Sequence, residues 1–304
     1  MMKMTEFMGA EAVQLCSGEL RCIVLPAHGG KIVSLQYVKN GFELLFQNPK
    51  GNFRTAFCGA DFSQYEACGF DDAFPSIDAS EVRLESGRMV SYPDHGEIWT
   101  SPFSAEVQGE KLKLCCEGRR LPYHYEKTFE LRENELFCTW HIRNTGEEAF
   151  PWLWAAHFLA AYEPDMQLIF PEGTESIEYV LDTDAPERAG KKVPFGDGAA
   201  FCSVPKPGVR MKKFYLAGRV REGRCGYLYP SRRMKAQFFF DRDALPYLGC
   251  WITAGGYRGD KNCALEPASG YYDEIGRAEK NRACSVLSPG ASVSFQMRVR
   301  LEEI

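Results

Sequence analysis

Three ionisable side chains sit in settings suited to proton transfer. Glu266 follows the apolar run Cys263-Ala264-Leu265 and precedes Pro267. Proline has no N–H and ends ladder pairing, which predicts a carboxylate at a strand end, facing a cleft and partly desolvated. An ordinary solvated loop glutamate is the competing reading. His157 follows Trp152-Leu153-Trp154-Ala155-Ala156. A histidine in such a run is either a satisfied core residue or a tuned acid–base, since burial lowers an imidazole's pKa and a nearby carboxylate raises it. His95 lies in "YPDHGEIW", beside Asp94, Gly96, Glu97 and Trp99. Polar groups next to an indole suit a sugar, whose C–H faces stack on the ring while its hydroxyls are held. A turn in which Asp94 and His95 only bond backbone is the alternative. His28 and His124 read as structural, and His141 as a surface strand residue.

A carboxylate base and an imidazole acid aimed at two oxygens of one carbon are the minimum kit for opening a cyclic hemiacetal. The base takes the O1 proton, the acid protonates the ring oxygen, C1–O5 breaks, and reclosure on the other face inverts the anomeric centre. Each transfer contributes roughly 10²–10⁴-fold. This chemistry needs no cofactor, metal or covalent intermediate. No two histidines share an H-x-x-x-H spacing, there is no C-x-x-C, and adjacent Cys115-Cys116 point to opposite faces of a strand, so no metal site is expected. A glycosidase would instead need two carboxylates about 5–10 Å apart, which Glu266 with Asp72 or Glu97 could supply.

The elements that must position these groups read as strands. Val293, Phe295, Met297, Val299 and Leu301 alternate with polar residues, the mark of a half-buried antiparallel strand. "HYEKTFELREN" and "ELFCTWHIRN" repeat the pattern, with Arg132-Glu133-Asn134 turning a hairpin. "KIVSLQYV" places Val33, Leu35 and Tyr37 on one face, and "KLKLCCEG", "RMVSYP" and "AQFFFDR" are further strands. Helical signals are poor; "GAEAVQLC" and "HFLAAYE" each allow a turn or two. The expectation is an all-β fold of two or more packed antiparallel sheets with few short helices, forming a single domain over 1–304.

Composition narrows the function. The chain has 304 residues, 45% of them hydrophobic, and a formal net charge of −5, enough for a large core and unsuited to a nucleic-acid partner. The short clusters "RMKK" and "SRRMK" read as solvated strand ends. No apolar run approaches the roughly 20 residues needed to span a bilayer, and the first residues lack the apolar block of a secretory signal. Cys16, Cys22, Cys138 and Cys250 lie in apolar runs, and most of the cysteines read as buried thiols of a reducing cytoplasm. A cytoplasmic monomer or homodimer acting on a small carbohydrate, without membrane or nucleic acid, fits best.

The motifs resemble the aldose 1-epimerase (galactose mutarotase-like) superfamily along most of the chain. "LPAHGGKIVSLQYVKNGFELLFQNP" is similar to the family's opening, "GFDDAFPSI" to its Gly-Gly-x-x-x-x-Phe-Pro segment, "PDHGEIW" to its His-Gly motif, "HIRNTGEEAFPWLWAAHFLAA" to the stretch bearing its second histidine, and "ALEPASG" to its late Glu-Pro motif. The resemblance implies a β-supersandwich, with Glu266 as general base, His157 as general acid and His95 orienting the sugar and helping at the ring oxygen. The Asn-Arg pair of the galactose mutarotase branch is missing before His95. Asp71 and Asp72 would repel a sugar phosphate, which favours an unphosphorylated aldose. Asp72 is expected to accept sugar hydroxyls and Trp99 to supply an apolar wall. A non-catalytic carbohydrate-binding protein on the same scaffold is the alternative.

Overall fold

Period-two alternation fixes the smaller of two large antiparallel sheets. In Tyr123–Arg132 and Ser292–Glu303 every second side chain is buried. Arg132 pairs with Glu135 across the predicted hairpin, and Glu133 takes φ 50° in the turn. Trp140 lies opposite Phe295, and the two rings stack at 5.4 Å. This eight-stranded sheet runs in the order Gln167–Ile169, Arg224–Tyr229, Met234–Phe240, Ser292–Glu303, Glu135–Asn144, Tyr123–Arg132, Lys111–Glu117, Ser104–Gln108. The structure is a computed structural model that describes residues 1–196 and 198–304.

The other sheet has thirteen strands. Its centre carries Lys31–Tyr37, Phe70–Ala73, Ala155–Phe158, Lys261–Ala268, Tyr247–Ala254, Met211–Leu216 and Ser176–Asp182, side by side in that order. One face packs on the eight-stranded sheet. Phe70, Phe158, Leu265, Cys250 and Phe214 meet Leu114, Tyr125, Trp140 and Phe295 there in one apolar cluster that takes in residues from Val13 to Leu301. Alternation turns their neighbours, among them His157, Glu266 and Lys213, to the opposite face.

Several local expectations need correcting. "GAEAVQLC" and "HFLAAYE" are strands, Ala10–Cys16 and then Ala155–Phe158 with Ala160–Ala161. The α-helix, Ile275–Lys280, is too short to leave a 3.6-residue stripe. Val33 does not share a face with Leu35 and Tyr37. Ile23 pairs with Ser34 and Val24 with Ile32, so a bulge at Val33 sends it into a separate cluster with Ala12, Ile23 and Leu25. Cys22, Cys138 and Cys250 are buried free thiols, as expected, whereas the Cys16 thiol is partly exposed. Among the described residues no helix is long and apolar enough to cross a membrane.

Candidate active site

Strand register brings the two principal candidates together. Ala155 pairs with Ala268 and Ala160 with Cys263, and the same register sets His157 across from Glu266. Next along the sheet, Glu266 pairs with Gly249, and Gly249 with Tyr215. Gly249 matters for its missing side chain: a Cβ there would stand 3.2 Å from Glu266 Oε2. The carboxylate therefore lies over the neighbouring strand, where only glycine gives it room.

These groups line a cleft on the face turned away from the second sheet. It opens to solvent and encloses about 590 Å³ of non-protein space, open solvent at its mouth included. Glu266, His157, His95, Lys213 and Asn262 are its polar lining; Phe62, Ile77, Leu159, Trp251 and Tyr257 are its main apolar walls. Phe62 lies flat on the His95 ring, 3.8 Å away at 11°, and meets His157 edge-on at 5.3 Å. The two imidazoles are 5.1 Å apart and nearly perpendicular.

The His95 loop is fixed by backbone. His95 takes φ 58° and its N–H donates to Ile77 O at 2.6 Å. Gly96 lies so close to Phe74 that a Cβ would fall 2.0 Å from the Phe74 carbonyl oxygen, a physical reason for the His-Gly pair. Ile77 N–H in turn donates to Asp273 O, just downstream of the Glu266 strand. One run of main-chain bonds thus ties His95 to the segment following Glu266. Asp94 Oδ1 lies 3.0 Å from His95 Nδ1. A carboxylate only accepts, so Nδ1 carries the hydrogen and Nε2 is the nitrogen left for other partners.

The electrostatics push Glu266 and His157 in opposite directions. Burial raises the Glu266 carboxyl; Asp273 and Asp78 add to this, Lys213 and His95 oppose it, and the net result is about 7. No hydrogen bond from the described residues reaches that carboxylate. Burial holds the His157 imidazole well below its ordinary range, helped by the charges of His95, Lys31 and Lys213. Its Nδ1 is buried with no hydrogen-bond partner among the described residues, while the ring edge stays partly exposed in the cleft.

Lys213 completes the wall. It pairs with Asp273 Oδ2 at 2.7 Å, and Tyr215 OH donates to the other Asp273 oxygen at 2.6 Å. Burial alone would depress the ammonium, but Asp273, Glu266 and Asp78 outweigh it and hold Lys213 above its usual range. The sequence reading took "RMKK" for a solvated strand end. The missed signal was parity: Phe214 and Leu216 belong to the core between the sheets, so Lys213 and Tyr215 turn to the other face, where Lys213 lines the cleft and Tyr215 packs beneath Tyr271 and Tyr272.

Two expected binding residues lie elsewhere. Asp72 sits on the inner face and pairs with Lys127 at 2.7 Å, both side chains at most 2% exposed, with Tyr125 OH at 3.1 Å. It spans the two sheets and does not reach the cleft. The odd–even pattern that turns His157 outward turns Asp72 inward, while Asp71 faces outward and pairs with Lys31 at 3.0 Å. Trp99 packs edge-on behind Phe62 at 5.1 Å and is 6% exposed, so Phe62 and Trp251 form the wall instead. Glu97 is fully buried and accepts from Tyr123 OH and the Arg119 and Arg120 amides. Neither Asp72 nor Glu97 can pair with Glu266 across a glycosidic bond. Glu266 itself is not at a strand end: the strand runs through Pro267 to Ala268. Proline is tolerated there beside a flank whose pairing is sparse, Ala155 with Ala268 and then Ala160 with Cys263.

The whole architecture recurs in solved proteins. A galactose mutarotase-like protein from Clostridium acetobutylicum superposes with TM-score 0.71 at 15% identity, covering 100% of this chain and 99% of its own. The chain has the galactose mutarotase-like fold. An Escherichia coli K12 protein provisionally named an aldose 1-epimerase gives TM-score 0.72 at 19% identity, with 99% and 100% covered. A Synechocystis protein reaches 0.77 at 16% identity, covering 97% and 96%. No protein-family model matches the chain, and no curated protein matches it with significance.

Proposed function

We propose that the cleft binds an unphosphorylated aldose and interconverts its anomers, with Glu266 and His157 as the proton-transfer pair and His95 as the group that orients the sugar. The observation that carries this reading is the placement of Glu266 and His157 on adjacent strands in one solvent-open cleft, with a carboxylate to which none of the described residues hydrogen-bonds. The galactose mutarotase-like fold and the mutarotase-type names of its structural neighbours support it.

The opposed pKa shifts favour ring opening. In opening, Glu266 accepts the O1 proton and the His157 imidazolium gives a proton to O5, leaving a neutral carboxyl, a neutral imidazole and the free aldehyde. A carboxylate raised to about 7 is a stronger base than usual, and an imidazolium in a desolvated pocket is a stronger acid than usual, so once the ion pair is formed the net passage of a proton from His157 through the sugar to Glu266 is favoured. After the aldehyde rotates, closure reverses both transfers: His157 takes the O5 proton and Glu266 returns one to O1. Each residue is restored after one turnover.

The charge argument for a free sugar also changes its footing. Asp71 and Asp72 are neutralised by Lys31 and Lys127. The carboxylates that would disfavour a phosphate are Glu266, Asp273 and Asp78, clustered around a single lysine that Asp273 already engages. The test is anomer exchange by NMR on a panel of free aldoses and their phosphates. Acceleration of a free aldose is expected. Calorimetric binding of sugars with no exchange of any would replace the enzyme with a carbohydrate-binding protein.

A further inference from the structure

On the outer face of the eight-stranded sheet, remote from the cleft, strand register assembles three ligand-bearing side chains that no local motif contains. Cys115 pairs with Glu126, and Glu117 with His124, in adjacent antiparallel strands. Ligand atoms of Cys115, His124 and Glu126 all lie within 4.8 Å of one another, and each residue is partly exposed. A thiol, an imidazole and a carboxylate make up a borderline-soft set of the type that holds zinc, with a fourth position left to water.

A second feature points the same way. His124 Nδ1 lies 2.6 Å from Glu117 Oε1. The carboxylate fixes the hydrogen on Nδ1 and leaves Nε2 with its lone pair, the outer arrangement that orients metal-bound histidines. Other groups surround the cluster, among them Glu106, whose charge reaches Cys115, and Arg143, across from His124 on the next strand. Lys113 pairs with Glu126 at 2.8 Å and competes for that carboxylate. Ser104 Oγ donates to Cys115 O and leaves the sulfur alone. His141, across from Glu126 on the next strand, is engaged by Ser294 at 2.8 Å.

We propose that Cys115, His124 and Glu126 form a binding site for a divalent transition-metal ion of the zinc class, with Glu117 positioning His124. Binding forms a metal–thiolate bond, releases the Cys115 proton to solvent and displaces Lys113 from Glu126. No redox step is involved. The site is independent of the cleft and of the function proposed for it.

The test uses the full chain freed of metal by chelation, titrated with Zn²⁺ against a competing chelator and with Co²⁺ in the spectrophotometer. One Zn²⁺ per chain is expected, and Co²⁺ should give a thiolate-to-metal charge-transfer band. Cys115→Ser should abolish the band, whereas the partly exposed control Cys16→Ser should keep it. His124→Gln and Glu126→Gln should each weaken Zn²⁺ at least tenfold. Glu117→Gln should weaken it about 10-fold, the size of an outer-carboxylate effect. Lys113→Met removes the competitor and should tighten binding. A band that survives Cys115→Ser, or Zn²⁺ binding unmoved by His124→Gln, would overturn the site. Lys113, Cys115, Glu117, His124 and Glu126 all lie on the outer face of the eight-stranded sheet, so unchanged unfolding curves separate lost binding from lost folding.

Discussion

His157 and Glu266 face each other across adjacent antiparallel strands, one imidazole and one carboxylate on a single register line. The environment works on them in opposite senses, holding the imidazole well below its ordinary range and raising the carboxyl to about 7. Between those two ionisations the pair holds one proton, and that proton rests mainly on Glu266.

The pH profile should show this. In the proposed mechanism the competent form is the singly protonated pair, so kcat/KM should fall on the alkaline side with an apparent pKa near 7, lower than an unperturbed histidine–lysine site would give. Lys213→Met removes the charge that opposes the Glu266 rise, so it should move this limb to higher pH. Initial rates of anomer exchange across pH check it; an alkaline limb that stays put in Lys213→Met would remove Lys213 from the electrostatics.

Gly249→Ala tests the geometry. The added methyl would contact Glu266 Oε2 at 3.2 Å and the Tyr215 ring at 3.4 Å. A shifted carboxylate should cost about 10²-fold in kcat, typical of a misplacement of about 1 Å. Tyr215 is buried and held by Asp273, so the Glu266 carboxylate, which lines the open cleft, is the group that gives way, and thermal unfolding should change little. Exchange kinetics beside a melting curve separate the two effects.

Stability should depend on pH through the same residue. The folded-state pKa of Glu266, about 7, exceeds its ordinary 4.5. Between those values the folded chain keeps a proton that the unfolded chain releases, so this contribution is complete below 4.5 and is lost as pH rises to about 7. Glu266→Gln should therefore be more stable than wild type above neutrality by on the order of 2–3 kcal/mol, and nearly equal to it at acid pH. His157 acts in the other sense: its depressed pKa withdraws stability as pH falls below the ordinary 6.5. Urea unfolding at several pH values reads both.

Much of this was legible in the sequence, and parity explains most of the rest. Alternation revealed the 123–144 hairpin and the C-terminal strand because each has one wet face and one dry face. It revealed less in the central sheet, where Phe70–Ala73 and Lys261–Ala268 are buried on both faces and give no alternating signal. That is why Asp71 and Asp72 could not be told apart, and why Lys213 passed for a solvated charge. His157 and Glu266 stand out in the sequence as ionisable groups against apolar runs, and His95 as one of a polar cluster beside an indole. Their meeting depends on pairing between strands distant in the chain, which composition and spacing do not encode. The bulge at Val33 left no local trace either.

The inner aspartate gives a prediction of its own. Asp72→Ala leaves the Lys127 ammonium buried without its counterion and should cost about 3–5 kcal/mol. Molecules that still fold should exchange anomers at close to the wild-type rate, since Asp72 does not line the cleft. Denaturant unfolding gives the first quantity, and activity per folded molecule gives the second. A large specific loss of activity would put Asp72 back among the sugar-binding groups.

The most direct test is the anomer-exchange rate of the wild-type chain against Glu266→Gln and His157→Gln, measured by NMR at one pH on an aldose that the wild type accelerates. Each substitution should lower kcat by about 10²–10⁴-fold with little change in KM, and the double variant should lose far less than the product of the two. Wild-type exchange in Glu266→Gln would contradict the account at its centre.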